Sequence, residues 1–578
     1  MKEKNGKLPD PKEIEREIGE FLAKRFGGDV KIVSPINLPQ ELSLEAKKIF
    51  QPKPGNINFD LKPRDLIAYL DQYIVRQDQA KAVLATKICT HFNRIKHLQH
   101  SNTDYLTGRV KSNILMLGPT GVGKTYMIKL IAKKIGVPFV KGDATKFSET
   151  GYVGADVEDL IRDLVREADD NIELAGFGII YIDEIDKIAS NHNFIGADIS
   201  RTGVQRALLK PMEETDVELK VPHDPISIIQ EIEKFRKTGK REKNIVNTKN
   251  ILFIMSGAFA DLSEIINKRL SSQEIGFGAR IKGTQTQDEI LKQVRSEDLI
   301  EFGFESEFAG RLPVHAVLQK LSENDLFEIL KNPNNPVILG KKFDFAAYGI
   351  KIIFEDTALE MLAKQAFNEN TGARGLVSAI ERALLPFEKS LPSTDIKIFP
   401  VTKEVVENPE KIYNKLYQSP DIDALTQTFD KMALQEKEFI KDYLRAGRKN
   451  LNIKNHLNMT PSRIDIIADY YCSHTTSMEF IINKVKKYSD EIKKIELFFY
   501  KNNDINIVME DDAIDYFIEQ LINNKLKIDN FYKQFNLDFE YGLKLVREKT
   551  GQNRFFITRK AMTDPEAYIS DFIKTTFS

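Results

Sequence analysis

Between residues 61 and 320, short unbroken apolar runs alternate with longer stretches in which apolar residues recur every three or four positions. The clearest runs are NILMLG (113–118), GIIYID (178–183) and ILFIMSG (251–257), apolar through their centres on both faces. A strand reads that way when helices cover both sides of a parallel sheet. After the second glycine of GYVG (151–154), Val157, Leu160, Ile161, Leu164, Val165 and Ala168 fall on one face of a predicted helix. The pattern predicts an α/β fold with a parallel sheet over 61–319, a smaller, mostly helical region over 320–405 and an α-rich region over 406–578. Residues 1–60 are polar, with one helical pattern around EIEREIGEFLAKRF, and QPKPGN (51–56) reads as a linker.

One segment is echoed. IKIIFEDTAL (350–359) aligns without gaps to INIVMEDDAI (505–514), and each leads into a helical pattern. In the second, Ile514, Phe517, Ile518, Leu521 and Ile522 form the apolar face. Residues 406–578 therefore read as holding a degenerate small-domain-like unit, with chance similarity of two strand–helix units as the rival.

Composition narrows the class. A chain of 578 residues is too long for a single core. Charged residues make up 29% and hydrophobic residues 42%, an ordinary globular mix, and a net charge of −1 argues against a chain that is basic throughout. Cys89 and Cys472 are too few for a four-cysteine zinc site, so no zinc is expected. No signal-peptide pattern opens the chain, and no apolar run approaches the roughly 20 residues that span a bilayer. The expected setting is the cytoplasm, without membrane contact.

The chemistry is densest at GPTGVGKT (118–125), which follows a strand and precedes a helical pattern. Gly118, Pro119, Thr120, Gly121, Val122, Gly123, Lys124 and Thr125 fit the phosphate-binding loop G-x-x-x-x-G-K-[ST]. Glycines let backbone N–H groups approach phosphate oxygens, Lys124 reaches the β- and γ-phosphates, and the Thr125 hydroxyl ligates Mg²⁺. One strand–helix–strand crossover later, GIIYIDEID ends in Asp183, placed for the Mg²⁺ shell, and Glu184, placed to orient or deprotonate water. Alone, such a pair is more often a helix start; behind a phosphate loop it reads as catalytic. The cofactors are ATP and Mg²⁺.

Further segments follow in order: YIVRQDQAK (73–81), DATKFSETGYVGADVEDLI, YIDEIDKI, GVQRALLKPME, ILFIMSGAFA, IGFGA, EFAGRLPV and NTGARGL. The series is similar to the ClpX-type AAA+ unfoldases, the ATP-binding subunits of Clp proteases. GADISRTGVQR shows a local likeness to HslU, whose long insertion after GYVG is absent. The resemblance covers about 62–395. It implies an AAA+ large ATPase domain followed by a small lid domain. It implies that Ile74 and Val75 contact the adenine. It makes Gly151, Tyr152, Val153 and Gly154 a pore loop whose tyrosine grips polypeptide, in keeping with an amphipathic ring on flexible glycine hinges. It makes Arg311 an arginine finger acting on a neighbouring subunit, Arg374 a nucleotide-sensing arginine and Ser256 a polar sensor. Ile275, Gly276 and Phe277 become a loop that docks on a ClpP-type peptidase.

Together these imply a homohexamer that unfolds tagged or unfolded proteins and threads them to a peptidase. A stand-alone remodelling chaperone is the alternative within the class. A nucleic-acid-acting motor is disfavoured by GYVG and IGF. A scaffold without hydrolysis conflicts with the presence of Lys124, Asp183, Glu184 and Arg311. The sequence departs from the family at three places. The four-cysteine N-terminal zinc domain is missing. Arg76 stands where the family has glycine. The loop after PMEETDVELK is long, and Lys234, Arg236, Lys237, Lys240, Arg241 and Lys243 make it basic. That loop reads either as a charge screen at the pore entrance or as a solvated surface.

Overall fold

The computed structural model describes residues 61–100, 111–147, 156–189, 199–219, 245–273, 286–418, 421–455, 457–523 and 528–577. Residues 1–60, the GYVG loop, the basic residues 234–243 and the IGF tripeptide lie outside them. Described residues up to Met432 form one compact unit and those from Ala433 another.

In the first unit the strands are β1 (Ile114–Leu117), β2 (Phe139–Asp143), β3 (Ile179–Asp183), β4 (Asp216–Glu218), β5 (Ile245–Asn247), β6 (Leu252–Gly257), β7 (Val314–Val317), β8 (Lys351–Phe354) and β9 (Ile398–Val401). Five make one sheet in the order β2-β3-β6-β1-β7, parallel throughout. The apolar runs are explained by burial on both faces. Ile114, Met116, Ile179, Tyr181, Leu252 and Ile254 join one core; Leu115, Leu117, Ile180, Ile182, Phe253 and Met255 join another. Alternate residues of a strand point to opposite faces, so a strand between two helical layers must be apolar at every position. The helix Asp159–Glu167 and its flanks bury all six predicted residues, Val157 to Ala168, in the second core.

The chain crosses from β1 over two strands to β2, and from β6 past β1 to β7. Crossings in both directions open a crevice beyond the C-terminal end of β1, where ligands of open parallel sheets bind. The phosphate loop leaves β1 at that point. A smaller helical domain follows. Its first helix, Glu323–Lys331, is fixed by a reciprocal cap: the Asp325 N–H donates to Ser322 Oγ and the Ser322 N–H to Asp325 Oδ2. β8 and β9 pair in parallel, and the helices Asp356–Asn368 and Arg374–Ser390 lie between them in sequence. Ile412, Tyr413 and Leu416 of the helix Pro409–Gln418 pack on the same core.

The unit from Ala433 has its own core, rich in phenylalanine. It repeats the small domain element by element. Thr460 caps the helix Pro461–Ser473 as Ser322 caps its counterpart. β10 (Asn506–Met509) and the helix Asp511–Ile522 match β8 and Asp356–Asn368, which carries the sequence echo into three dimensions. A long helix, Ile528–Thr550, leads to β11 (Arg554–Ile557), parallel to β10 as β9 is to β8. From Phe399 and Phe555 the two copies run without gaps: Val401 with Ile557, Thr402 with Thr558, Val405 with Ala561, and Pro409 with Pro565. Phe399, Phe555, Val401, Ile557, Val405 and Ala561 are all buried. The second copy differs in having a 26-residue helix, Met478–Asn503, before its first strand, where the first has the 11-residue Pro336–Ala346. It also lacks TGARGL. No helix among the described residues is long and apolar enough to cross a membrane.

Candidate functional site

The phosphate loop closes onto the helix Lys124–Ile135, whose first-turn N–H groups face a cavity of about 440 Å³. That volume lies within the usual range of small-molecule sites, about 300–1,000 Å³. Thr120 to Thr125 line its floor, Asp183 and Glu184 one wall, and Arg374 another. Ile74 and Val75 line it as well, beside Tyr73. Gly118 and Pro119 lie outside this lining and lend their carbonyl oxygens, which accept hydrogen bonds from Lys124 Nζ at 2.7 and 2.8 Å. Burial pulls the Lys124 ammonium down to about 8, against the pull of Asp183 and Asp186. A polyphosphate would supply the missing counter-charge.

The roof belongs to the small domain. Gly121 and Gly372 meet back to back, both with positive φ (73° and 63°). A Cβ on Gly121 would run into the Thr371 carbonyl, and one on Gly372 into the Gly121 carbonyl. The Ala373 N–H donates to the Gly121 oxygen at 2.8 Å, and Arg374 begins the next helix. The phosphate loop and the NTGARGL turn are therefore joined backbone to backbone. This is why glycine is required on both sides.

Asp183 ends β3 at the centre of a hydrogen-bond chain. Its Oδ1 accepts from Ser256 Oγ at 2.6 Å and from the Glu184 N–H at 3.1 Å; its Oδ2 accepts from Thr125 Oγ1 at 3.4 Å. Ser256 gives its one hydroxyl proton to the carboxylate, so the buried Tyr181 hydroxyl, 2.6 Å away, donates to Ser256. Thr125 Oγ1 is in turn 3.1 Å from the Tyr181 oxygen. Burial pushes the Asp183 carboxyl up, but Ser256, Lys141 and the Glu184 N–H outweigh it and hold it below the usual carboxylate range. Asp183 thus stays an anion, able to help hold a cation. Glu184 is exposed and sits in the left-handed region, φ 58° and ψ 32°. A non-glycine residue held there costs about 1–3 kcal/mol, a strain that recurs at working sites.

Two arginines fall outside the cavity. Arg311, at the end of the short helix Ser306–Gly310, is ion-paired with Glu213 and does not line its own chain's cavity. Arg76 and Gln77 both have positive φ, which accounts for glycine at the first of these positions in the family. The Arg76 side chain turns to the small domain and pairs with Asp325 Oδ2 at 2.8 Å, while Gln77 exchanges two hydrogen bonds with the Gln319 backbone. Pattern reading missed Tyr181, Lys141 and Asn335. Tyr181 reads as one more core residue of its strand. Lys141 lies on edge strand β2, across from Tyr181 in register. Asn335 lines the cavity and caps the helix Pro336–Ala346 through the Val337 N–H; the pair Asn335-Pro336 was a legible helix start, though not a legible site.

Comparison with known proteins agrees with this layout. A family model described as "AAA domain (Cdc48 subfamily)" matches residues 109–315, and one for the "C-terminal, D2-small domain, of ClpB protein" matches residues 314–387. The ClpX protein of Treponema denticola, described as "ATP-dependent Clp protease ATP-binding subunit ClpX", is 39% identical over 356 residues, 61% of this chain and 81% of that protein. Proteins of the same description from Borrelia duttonii and Borrelia recurrentis are each 40% identical over 349 residues, 60% of this chain and 78% of theirs. At that identity, over that share of these relatives, and with a phosphate loop roofed by a small domain, the chain belongs to the ClpX family of AAA+ ATPases.

Proposed function

We propose that this ATPase is a protein unfoldase and translocase that works in the cytoplasm as a homohexameric ring and passes its substrates to a ClpP-type peptidase. The observation that carries the reading is the backbone seal between Gly121 and Ala373, which makes the small domain one wall of the nucleotide cavity. Any change at the phosphates then acts on the angle between the two domains. In a ring that angle passes from subunit to subunit, and it moves the loops that line the channel.

The roles follow from position. Thr120 to Thr125 would cradle the phosphates, with Lys124 turning from the Gly118 and Pro119 carbonyls to the β/γ oxygens. Thr125 and Asp183 offer a hydroxyl and a carboxylate, hard oxygen donors that suit Mg²⁺, with phosphate and water completing the shell. Bound there, the ion would neutralise charge on the phosphates. Glu184 would orient and deprotonate the attacking water. Ser256 would fix the Asp183 carboxylate, and Arg374 would report nucleotide state to the small domain. Ile74 and Val75 would pack on the base. Arg311, turned away from its own cavity, suits action on a neighbour's. Tyr152, between Gly151 and Val153-Gly154, would grip the polypeptide.

The partner is testable through Ile275–Phe277. Deleting these three residues should leave ATP hydrolysis intact and abolish ATP-dependent degradation of a tagged, folded reporter in the presence of ClpP. Degradation that survives the deletion would remove the docking role. A reporter that is unfolded but never degraded by the parent chain with ClpP would favour a stand-alone remodelling chaperone.

A further inference from the structure

Asp183 Oδ2 has a second partner. Lys141 Nζ, from edge strand β2, lies 2.9 Å from it. The register explains the reach: Lys141 pairs with Tyr181, two residues before Asp183 on the same face of β3. The Lys141 side chain is 44% exposed and that of Asp183 16%. Among the described residues the other hydrogen-bond donors to this carboxylate are neutral: the Ser256 hydroxyl, the Thr125 hydroxyl and the Glu184 N–H. The Lys124 ammonium, which also feels Asp183, is held by the Gly118 and Pro119 carbonyls. Lys141 therefore brings a full positive charge to the oxygen that faces Thr125, the side on which a divalent cation would be shared.

We propose that Lys141 is a positioning residue that competes with Mg²⁺ for Asp183 and so raises the Mg²⁺ concentration at which nucleotide binds. The inference rests on the ATP-site reading above. In the nucleotide-free chain the ammonium neutralises Asp183 and keeps its carboxylate aimed at Thr125. A divalent cation arriving there must displace it, because a monovalent and a divalent charge within a few ångströms repel. Lys141 is half exposed, so it can swing into water at little cost, and the competition is a matter of fold-changes rather than a block. Nucleotide then binds tightly only once Mg²⁺ is sufficient to take Asp183 over.

The test is a Mg²⁺ titration of fluorescent ADP binding to the full chain, which involves no turnover. Lys141→Met keeps the aliphatic stem and removes the charge; Lys141→Arg keeps the charge; Lys141→Gln is a second neutral variant should the first fold poorly. The Mg²⁺ midpoint should fall roughly three- to tenfold in both neutral variants and stay near the parent value in Lys141→Arg. Binding in EDTA should be no tighter in the neutral variants than in the parent, so that any gain is confined to Mg²⁺, a pattern that a purely structural role for Lys141 would not produce. An unchanged or raised midpoint in the neutral variants, with normal binding at saturating Mg²⁺, overturns the inference alone. A parent chain that binds no nucleotide at any Mg²⁺ concentration overturns the site reading, and the inference with it.

Discussion

Glu184→Gln should bind ATP as tightly as the parent chain and hydrolyse it at least a hundredfold more slowly, the low end of the roughly 10²–10⁴ that a positioned general base contributes. The geometry separates binding from chemistry at this residue. In the proposed reading Lys124, Thr125 and Asp183 would hold phosphate and cation, whereas the exposed Glu184 side chain belongs to no ion pair among the described residues. Its left-handed backbone sets the side chain apart from the hydrogen-bond chain around Asp183. Glutamine keeps the shape and loses the base. Equilibrium binding of ATP and a single-turnover hydrolysis assay on the same preparation check both halves. A variant that hydrolyses at the parent rate would remove Glu184 from the chemistry.

Arg311→Ala should cost about 10³–10⁵ in hydrolysis, the range for loss of an arginine finger. Nucleotide binding to the isolated chain should be untouched, because Arg311 pairs with Glu213 and is absent from its own cavity. A second expectation follows from action in trans. Mixing Arg311→Ala with Glu184→Gln under conditions of subunit exchange should restore activity, because an intact Glu184 then meets an intact Arg311 across some interfaces. Two dead variants that stay dead when mixed would place Arg311 outside the reaction, as a surface arginine tied to Glu213.

Much of this was legible because sequence pattern and local structure share a period. Continuous apolar runs marked β1, β3 and β6, since both faces of each are covered. GPTGVGKT and YIDE marked the two sides of one cavity, because each is a strand followed by a turn of fixed chemistry. Other features depend on register and domain contact. Lys141 lies forty-two residues before Asp183 in sequence and meets it only because β2 pairs with β3 in parallel. Asn335 reaches the cavity because the small domain closes on the phosphate loop. Arg76 was recognisable as an oddity in place of glycine, but its partner Asp325 follows only from the fold. The C-terminal repeat was half visible. The stretch around β8 and β10 aligns by eye, whereas the long helix Met478–Asn503 offsets the elements before it.

The repeat also bears on function. The second copy keeps the caps, the parallel strand pair and the apolar positions of the small domain but has no counterpart of Gly372 and Arg374. It has the architecture of a lid without the residues that touch the phosphate loop.

The most direct test of the account is the fate of a stably folded fluorescent protein carrying an unstructured tag, mixed with the full chain and ATP, without peptidase. Several tags should be tried and a trap added to prevent refolding. The account predicts loss of native fluorescence with ATP, and none with ADP, with Glu184→Gln or with Tyr152→Ala, although Tyr152→Ala still hydrolyses ATP. Hydrolysis by the parent chain that leaves every tagged reporter folded would contradict it.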